Sequence, residues 1–374
     1  MDNKLKVIIA GGGTGGHVFP AIAIANALKA REPQTDILFV GAEGRMEMER
    51  VPQAGYEIRG LKIMGMNRKN LLKNVKVLYL YMKSKATCHK IVKEFNPDVV
   101  IGVGGYASGP CVGAAEDLHV PVLLQEQNSY AGVTNKMLGK RAAEVCVAYE
   151  GMERFFPGTK VVLTGNPVRQ ELKAAGLTRE LAVKSFGLDS SKRTVLIVGG
   201  SLGARTINES VLLHLDLIRK QKDVQFIWQT GKYYSAEIKD ALQEKVKPAN
   251  LYVSDFITGM AKAYKAADLV ISRAGACSIS ELQMLGKPVI LVPSPNVAED
   301  HQTKNAMALV ARKAAICVKD NEARMFLIPK AVEVVGNPET LSTLGTNILQ
   351  MGRPHATDQI VDEILKLAGK GSAQ

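Results

Sequence analysis

The chain has 374 residues, 46% of them hydrophobic and 22% charged, and carries a net charge of +12. That length is more than one hydrophobic core usually serves, and that composition excludes a disordered or low-complexity chain. The five cysteines (Cys88, Cys111, Cys146, Cys277 and Cys317) show no CxxC or metal-type spacing, and there is neither a signal-peptide pattern nor an apolar run of spanning length. Buried thiols in a cytoplasmic protein are expected, without disulfides or zinc.

The first element is LKVIIAGGGTGGHVFPAIAIANAL, residues 5–28: a β-branched strand, a glycine turn and a helix start. Such a turn presents free N–H groups and the positive end of the helix dipole to an anion. Gly11, Gly13 and Gly16 fit the GxGxxG pattern of dinucleotide sites, but the acid that should end the next strand is Glu43, which is poorly placed for a ribose. His17 is more distinctive. A cofactor loop has no need of an imidazole there, and the positive helix end favours its neutral, proton-accepting form. A cap is the plain role for His17, and a turn position for Thr14.

Strand patterns at Lys6–Ala10, Ile37–Val40, Val99–Val103, Val122–Gln125 and Val145–Ala148 alternate with helical stretches, which implies a parallel sheet. Between Arg59 and Lys93 stand ten basic residues and no acidic one. Within this stretch Leu71, Val75, Leu78 and Met82 recur at helical spacing, widened by Leu72 and Tyr79, with Lys73, Lys76 and Lys83 off the stripe. A helix of this kind either lies on an anionic bilayer surface or packs its stripe on the sheet and solvates its basic face. No nucleic-acid motif or aromatic stacking series accompanies the charge, so a nucleic-acid partner is not expected.

Two loops follow in the same lobe. VVIGVGGYASGP places Gly104, Gly105 and Tyr106 after a strand, where a second glycine turn could share a diphosphate with the first; close packing of helix on sheet explains the glycines equally well. LLQEQNSYAG places Glu126 and Asn128 at another strand end. The carboxylate suits a base or an orienting partner for His17, the amide suits a sugar hydroxyl, and both also suit helix caps.

After Val161–Leu163, GNPVR interrupts regular structure and marks a junction, so the domains are expected at 1–165, completed by a helix at 354–374, and at 166–353. The second series runs Val195–Val198, Gln225–Gln229, Leu251–Val253, Leu269–Ser272, Val289–Val292 and Ala315–Val318, and opens with TVLIVGGSLGARTINESVL, which repeats the first glycine turn. In LVISRAGACSISELQ a helix is expected to begin around Ser278; Ser278 and Glu281 fit a capping box, while Glu281 could instead accept both hydroxyls of a ribose. A nucleotide there would set its diphosphate near Gly200–Gly203 and Arg205 or Arg169. AEDHQTKNA adds Gln302 and Asn305, three apart on a helix face, as amides for a sugar. No D-x-D occurs, so no metal cofactor is expected, and helix dipoles and an arginine must neutralise a leaving diphosphate. The tail carries Ile360, Ile364 and Leu367 on one side of a last helix.

GGTGGH, GGYASGP, EQN, GNPVR, GGSLGAR, RAGACSISE and DHQTKNA, in this order, resemble the MurG family of peptidoglycan glycosyltransferases. The resemblance implies an α/β fold of two Rossmann-like lobes facing a cleft, the glycosyltransferase B type. It also implies transfer of N-acetylglucosamine from UDP-N-acetylglucosamine to the muramoyl 4-hydroxyl of lipid I, with inversion, giving lipid II at the anionic inner face of the plasma membrane. By the same resemblance the donor would meet Arg169 and Ser201 at its diphosphate and Ile257 at uracil. Ala276, Cys277, Ser278, Ile279, Ser280 and Glu281 would surround nucleoside and sugar, and Gln302 and Asn305 the sugar, with Thr14, Gly15, Gly16 and Asn128 contributing from the first lobe. Gly104, Gly105 and Tyr106 would take the acceptor diphosphate, with His17 the first candidate base and Glu126 the second. Leu202 stands where the family often has Gln, and Ala274 and Cys277 where some members have Ser and Leu, which puts side-chain roles at those positions in doubt. A UDP-sugar epimerase or another UDP-sugar transferase of the same fold would share the donor elements, whereas a dinucleotide-dependent oxidoreductase would rest on GxGxxG alone.

Overall fold

A computed structural model describes residues 4–65, 73–168, 172 and 176–370; the Arg68–Leu72 end of the basic stretch and Arg169 lie outside them. The chain divides into two compact units, Met1–Val168 with Arg353–Gln374, and Arg169–Gly352.

The first unit is built on strands β1 (Lys6–Ala10), β2 (Asp36–Ala42), β3 (Glu57–Leu61), β4 (Val99–Gly102), β5 (Val122–Glu126), β6 (Glu144–Val147) and β7 (Lys160–Leu163). They form one sheet in the order β3-β2-β1-β4-β5-β6-β7, every neighbouring pair parallel. Helices α1 (Gly15–Arg31), α2 (Glu47–Gln53), α3 (Lys73–Phe95), α4 (Ser108–Asp117) and α5 (Val133–Leu138) intervene. The order reverses direction between β1 and β4, and a crevice opens at the carboxyl ends of strands at such a point. The loops that leave β1 and β4 there are GGGTGG and VGGYAS.

β3 is absent from the sequence reading. It is an edge strand beside β2, it alternates Glu57 and Arg59 with apolar positions, and those two charges pair with each other at 2.9 Å. Charges on an edge strand block further pairing, and they also hide the strand from a reading that looks for apolar runs.

α3 does not pack through its apolar stripe. It lies on α4 through Tyr81, Lys85 and Cys88, while Val75, Leu78, Tyr79 and Met82 are exposed, at 72%, 63%, 63% and 59%. Lys76, Lys83, Lys90 and Lys93 are exposed on the same helix. Of the two expected arrangements, packing of the stripe on the sheet is therefore overturned for its described residues: four large apolar side chains stand in the open among lysines.

The second unit repeats the plan with β8 (Arg193–Val198), β9 (Val224–Gln229), β10 (Leu251–Ser254), β11 (Leu269–Ser272), β12 (Val289–Leu291) and β13 (Ile316–Cys317), parallel in the order β10-β9-β8-β11-β12-β13. Its helices are α6 (Arg179–Lys184), α7 (Arg205–Leu213), α8 (Leu215–Lys220), α9 (Ser235–Glu244), α10 (Met260–Ala266), α11 (Ala276–Leu285), α12 (His301–Val310), α13 (Asp320–Val335) and α14 (Pro338–Gln350). The reversal falls between β8 and β11, so GGSLGA and RAGAC occupy the equivalent crevice. A final helix, α15 (Ala356–Leu367), puts Ile360, Val361, Ile364 and Leu365 into the core of the first unit beside Ile24 and Leu28 of α1. No helix among the described residues is long and apolar enough to cross a membrane.

Candidate active site

In the first unit the two loops at the reversal are stitched together. Val103 N–H donates to Ala10 O at 2.9 Å and Gly12 N–H to Gly104 O at 3.4 Å. At Gly105 φ is +80°, and a Cβ there would sit 2.3 Å from the Gly12 carbonyl oxygen, so backbone lies on backbone and only glycine fits. Beneath the first loop sits Glu47, buried at 1% exposure. Its carboxylate accepts from Gly13 N–H at 3.0 and 2.9 Å and from Ala42 N–H at 3.0 Å. Glu43, the acid weighed for a ribose, is exposed. The acid that reaches the loop is Glu47, and it spends its oxygens on loop backbone. A dinucleotide-type acid is thus not what this loop uses. Thr14 is the extended N-cap of α1, without a side-chain cap bond, followed by Gly15 and Gly16 in the first turn.

His17 lies in that same first turn, half-buried, and a Cβ on Gly104 would stand 2.9 Å from its Cε1. The glycine at 104 therefore makes room for the imidazole. His17 Nδ1 lies 3.1 Å from Gln127 Oε1, and the Tyr106 ring covers Gly13, where a Cβ would be 3.5 Å away. His17, Gly104, Gly105 and Tyr106 are thus brought together.

Glu126 is not. It is 2% exposed, and its oxygens accept from Asn128 N–H at 3.0 Å, Asn128 Nδ2 at 3.3 Å, Gly132 N–H at 3.0 Å and Asn135 Nδ2 at 2.9 Å. A carboxylate so engaged organises the 126–135 loop. Asn128 is half-buried and held by it.

In the second unit the loop after β8 interlocks with the loop after β9: a Cβ on Gly203 would meet Thr230 O at 2.2 Å. The loop leaves Ser201 exposed before α7, whose N-cap Ala204 makes no side-chain cap bond. Gln229, 2% exposed at the end of β9, donates to Gly200 O at 3.1 Å and accepts from Ile257 N–H at 2.9 Å. One amide thereby spaces the candidate diphosphate loop from the candidate uracil loop, a role that no sequence spacing announces.

α11 begins at Ala276 with Gly275 as N-cap, so Ser278 lies inside the first turn and the expected capping box with Glu281 does not form. Glu281 instead accepts from Tyr264 Oη at 3.0 Å. Ala276, Cys277 and Ser278 occupy that uncapped first turn; Ile279 is fully buried, so its side chain belongs to the core, and Ser280 is 8% exposed. Arg273, at the head of RAGAC, turns inward: it donates to Val292 O at 3.1 Å and Thr206 Oγ1 at 3.2 Å and pairs with Asp320. Gln302 and Asn305 do not form a surface pair. Gln302 accepts from Ser294 N–H at 2.9 Å, while Asn305 is fully buried and donates to Ala274 O at 3.4 Å. Among the described residues no group of three or more His, Cys, Asp or Glu side chains could hold a metal ion.

Comparison with known proteins gives the family. Residues 7–147 match the glycosyltransferase family 28 N-terminal domain and residues 194–360 the family 28 C-terminal domain. The chain is 59% identical over 370 residues, 99% of its length and 98% of the relative's, to a UDP-N-acetylglucosamine–N-acetylmuramyl-(pentapeptide) pyrophosphoryl-undecaprenol N-acetylglucosamine transferase of Phocaeicola vulgatus. It is 58% identical to the enzyme of that name from Bacteroides fragilis, over 98% of this chain and 97% of that one. Among solved structures, MurG of Acinetobacter baumannii superposes with a TM-score of 0.78 at 30% identity, covering 97% of this chain and 99% of that one. A UDP-GlcNAc 2-epimerase from Neisseria meningitidis matches with a TM-score of 0.66 at 17% identity over 97% of this chain and 100% of that one, a likeness of fold alone. The chain belongs to glycosyltransferase family 28, within the MurG group of N-acetylglucosamine transferases.

Proposed function

We propose that this chain transfers N-acetylglucosamine from UDP-N-acetylglucosamine to the 4-hydroxyl of the muramoyl sugar of lipid I, forming lipid II in peptidoglycan synthesis. The observation that carries the reading is 59% identity along 99% of the chain to an enzyme named for this transfer. The hydroxyl attacks the anomeric carbon in line, the bond to UDP breaks, and the hydroxyl proton passes to His17, leaving an inverted β-1,4 link. His17 is favoured as base over Glu126 because the oxygens of Glu126 are engaged by loop donors. Gly104, Gly105 and Tyr106 receive the acceptor diphosphate.

The donor lies on the second unit, with its diphosphate at Ser201, Arg169 and the first turn of α7, its uracil at Ile257, its ribose at Glu281 and its sugar toward Gln302, behind which Asn305 is buried. No metal is required, since helix dipoles and Arg169 meet the charge that develops on UDP; EDTA is expected to leave the rate unchanged. A peripheral position on the anionic inner face of the plasma membrane is part of the proposal, supported by the exposed Val75, Leu78, Tyr79 and Met82 among lysines.

The test is UDP release with and without a lipid I analogue. Release that needs the acceptor is expected, and release or sugar isomerisation without it would replace this reading by the epimerase one. His17→Ala is expected to lower kcat by ~100-fold or more with little change in UDP affinity; near-normal turnover would remove His17 from the base role.

A further inference from the structure

Four polar side chains behind the first glycine loop form a chain of hydrogen bonds with one direction. Gln127, 1% exposed, points its Nε2 at Val103 O (2.7 Å) and Gln125 O (3.2 Å). Backbone carbonyls only accept, so the amide nitrogen must sit at that end and Oε1 must face His17 Nδ1, 3.1 Å away. The far end of the chain fixes the same polarity independently. Asn166 donates from Nδ2 to Gln127 O at 3.0 Å, which turns its Oδ1 toward Gln125 Nε2 at 2.9 Å and leaves Gln125 Oε1 to accept from Gln127 Nε2. Every donor therefore runs from His17 through Gln127 and Gln125 to Asn166. Gln125, Gln127 and Asn166 are each no more than 2% exposed, and hydrogen bonds chained in this way polarise and strengthen one another.

We infer that Gln127 is the positioning residue of the transfer reaction, acting through His17. An oxygen opposite Nδ1 requires a proton on Nδ1, so the neutral imidazole is the Nδ1–H tautomer and the lone pair sits on Nε2. That nitrogen carries the lone pair that can accept the acceptor's proton. Gln125 and Asn166 hold the Gln127 amide against a flip that would present its NH2 group to His17 and put the lone pair on the wrong nitrogen. Gly104 leaves the ring the room to hold this position, since a Cβ there would stand 2.9 Å from His17 Cε1. This inference rests on His17 as base for its catalytic consequence, but not for the tautomer.

The experiment is a two-bond nitrogen–proton correlation spectrum of the full-length protein labelled at histidine with nitrogen-15, with His17 assigned by comparison with His17→Ala. The wild-type ring is expected as the Nδ1–H tautomer at a pH where it is neutral. The isosteric Gln127→Met variant is expected to lose that preference, and to lower kcat by ~10-fold or more while the KM for UDP-N-acetylglucosamine stays within about 2-fold. An Nε2–H tautomer in the wild type, or an unchanged Nδ1–H tautomer and kcat in Gln127→Met, would overturn the inference; the wild-type measurement stands even if the variant fails to fold. Near-normal turnover of His17→Ala beside an Nδ1–H tautomer set by Gln127 would sink the base reading and leave the positioning intact.

Discussion

Glu47 lies four residues from the acid that the GxGxxG pattern directs attention to, yet it holds the loop and Glu43 does not. The difference is geometric: Glu47 opens α2 and turns back under β1 and β2, where Gly13 and Ala42 present N–H groups. Glu47→Ala leaves these buried donors unsatisfied, and the unfolding free energy should fall by about 3 kcal/mol in urea titration; Glu47→Gln, which keeps one acceptor, should lose less. Tyr264 performs a comparable service for Glu281, so Tyr264→Phe should raise the KM for UDP-N-acetylglucosamine about 5-fold with kcat nearly unchanged, in steady-state kinetics. Glycines, His17 and Tyr106 were legible in the sequence because loops of that composition have a chemical rationale. The amides of Gln127 and Gln229 were not, because a buried amide has no periodic signature and its partner is a backbone group distant in sequence. The Ser278–Glu281 box misled because Gly275 starts the helix earlier and leaves its N–H groups uncapped.

Elements show the same division between pattern and context. The apolar stripe of α3 was visible, but its destination was not: Cys88 and Tyr81 face α4, and the described part of the stripe faces outward. Because Leu78 and Met82 are exposed, Leu78→Glu with Met82→Glu should change unfolding stability by no more than about 0.5 kcal/mol. The same pair should abolish sedimentation with anionic vesicles; retained binding would place the membrane contact elsewhere. On the packed side, Asp117 is held down to about 2, chiefly by its hydrogen bond with Lys85 and then by Arg141 and His89. Its ordinary value is near 3.9, so this clamp contributes fully above about pH 4 and fades as pH falls toward 2. The group is partly exposed, so screening limits the contribution to about 1 kcal/mol. Asp117→Asn should cost that much at pH 7 and nothing near pH 2 by denaturant titration. The edge strand β3 escaped notice for the opposite reason from α3: its charges mask its alternation.

For the molecule as a whole, the alternation of strand and helix patterns already implied parallel sheets, but strand order and the place of reversal came from the structure. That order matters most, because it sets GGGTGG beside VGGYAS in one unit and GGSLGA beside RAGAC in the other. The amphipathic tail was also readable: Ile360 and Ile364 are fully buried, in the core of the first unit. Deleting residues 354–374 removes four buried aliphatic side chains of α15, about 2 kcal/mol each, against a typical domain stability of about 5–15 kcal/mol. Amide protection in β1 and β4 should collapse, while the single tryptophan, Trp228, buried in the second unit, should still report a cooperative unfolding transition. The activity itself is tested most directly by supplying UDP-N-acetylglucosamine labelled in its sugar together with a lipid I analogue. The account predicts label in the lipid product, β-linked to the muramoyl 4-hydroxyl, with one UDP released per sugar moved; label that stays water-soluble, or leaves UDP without reaching the lipid, would contradict it.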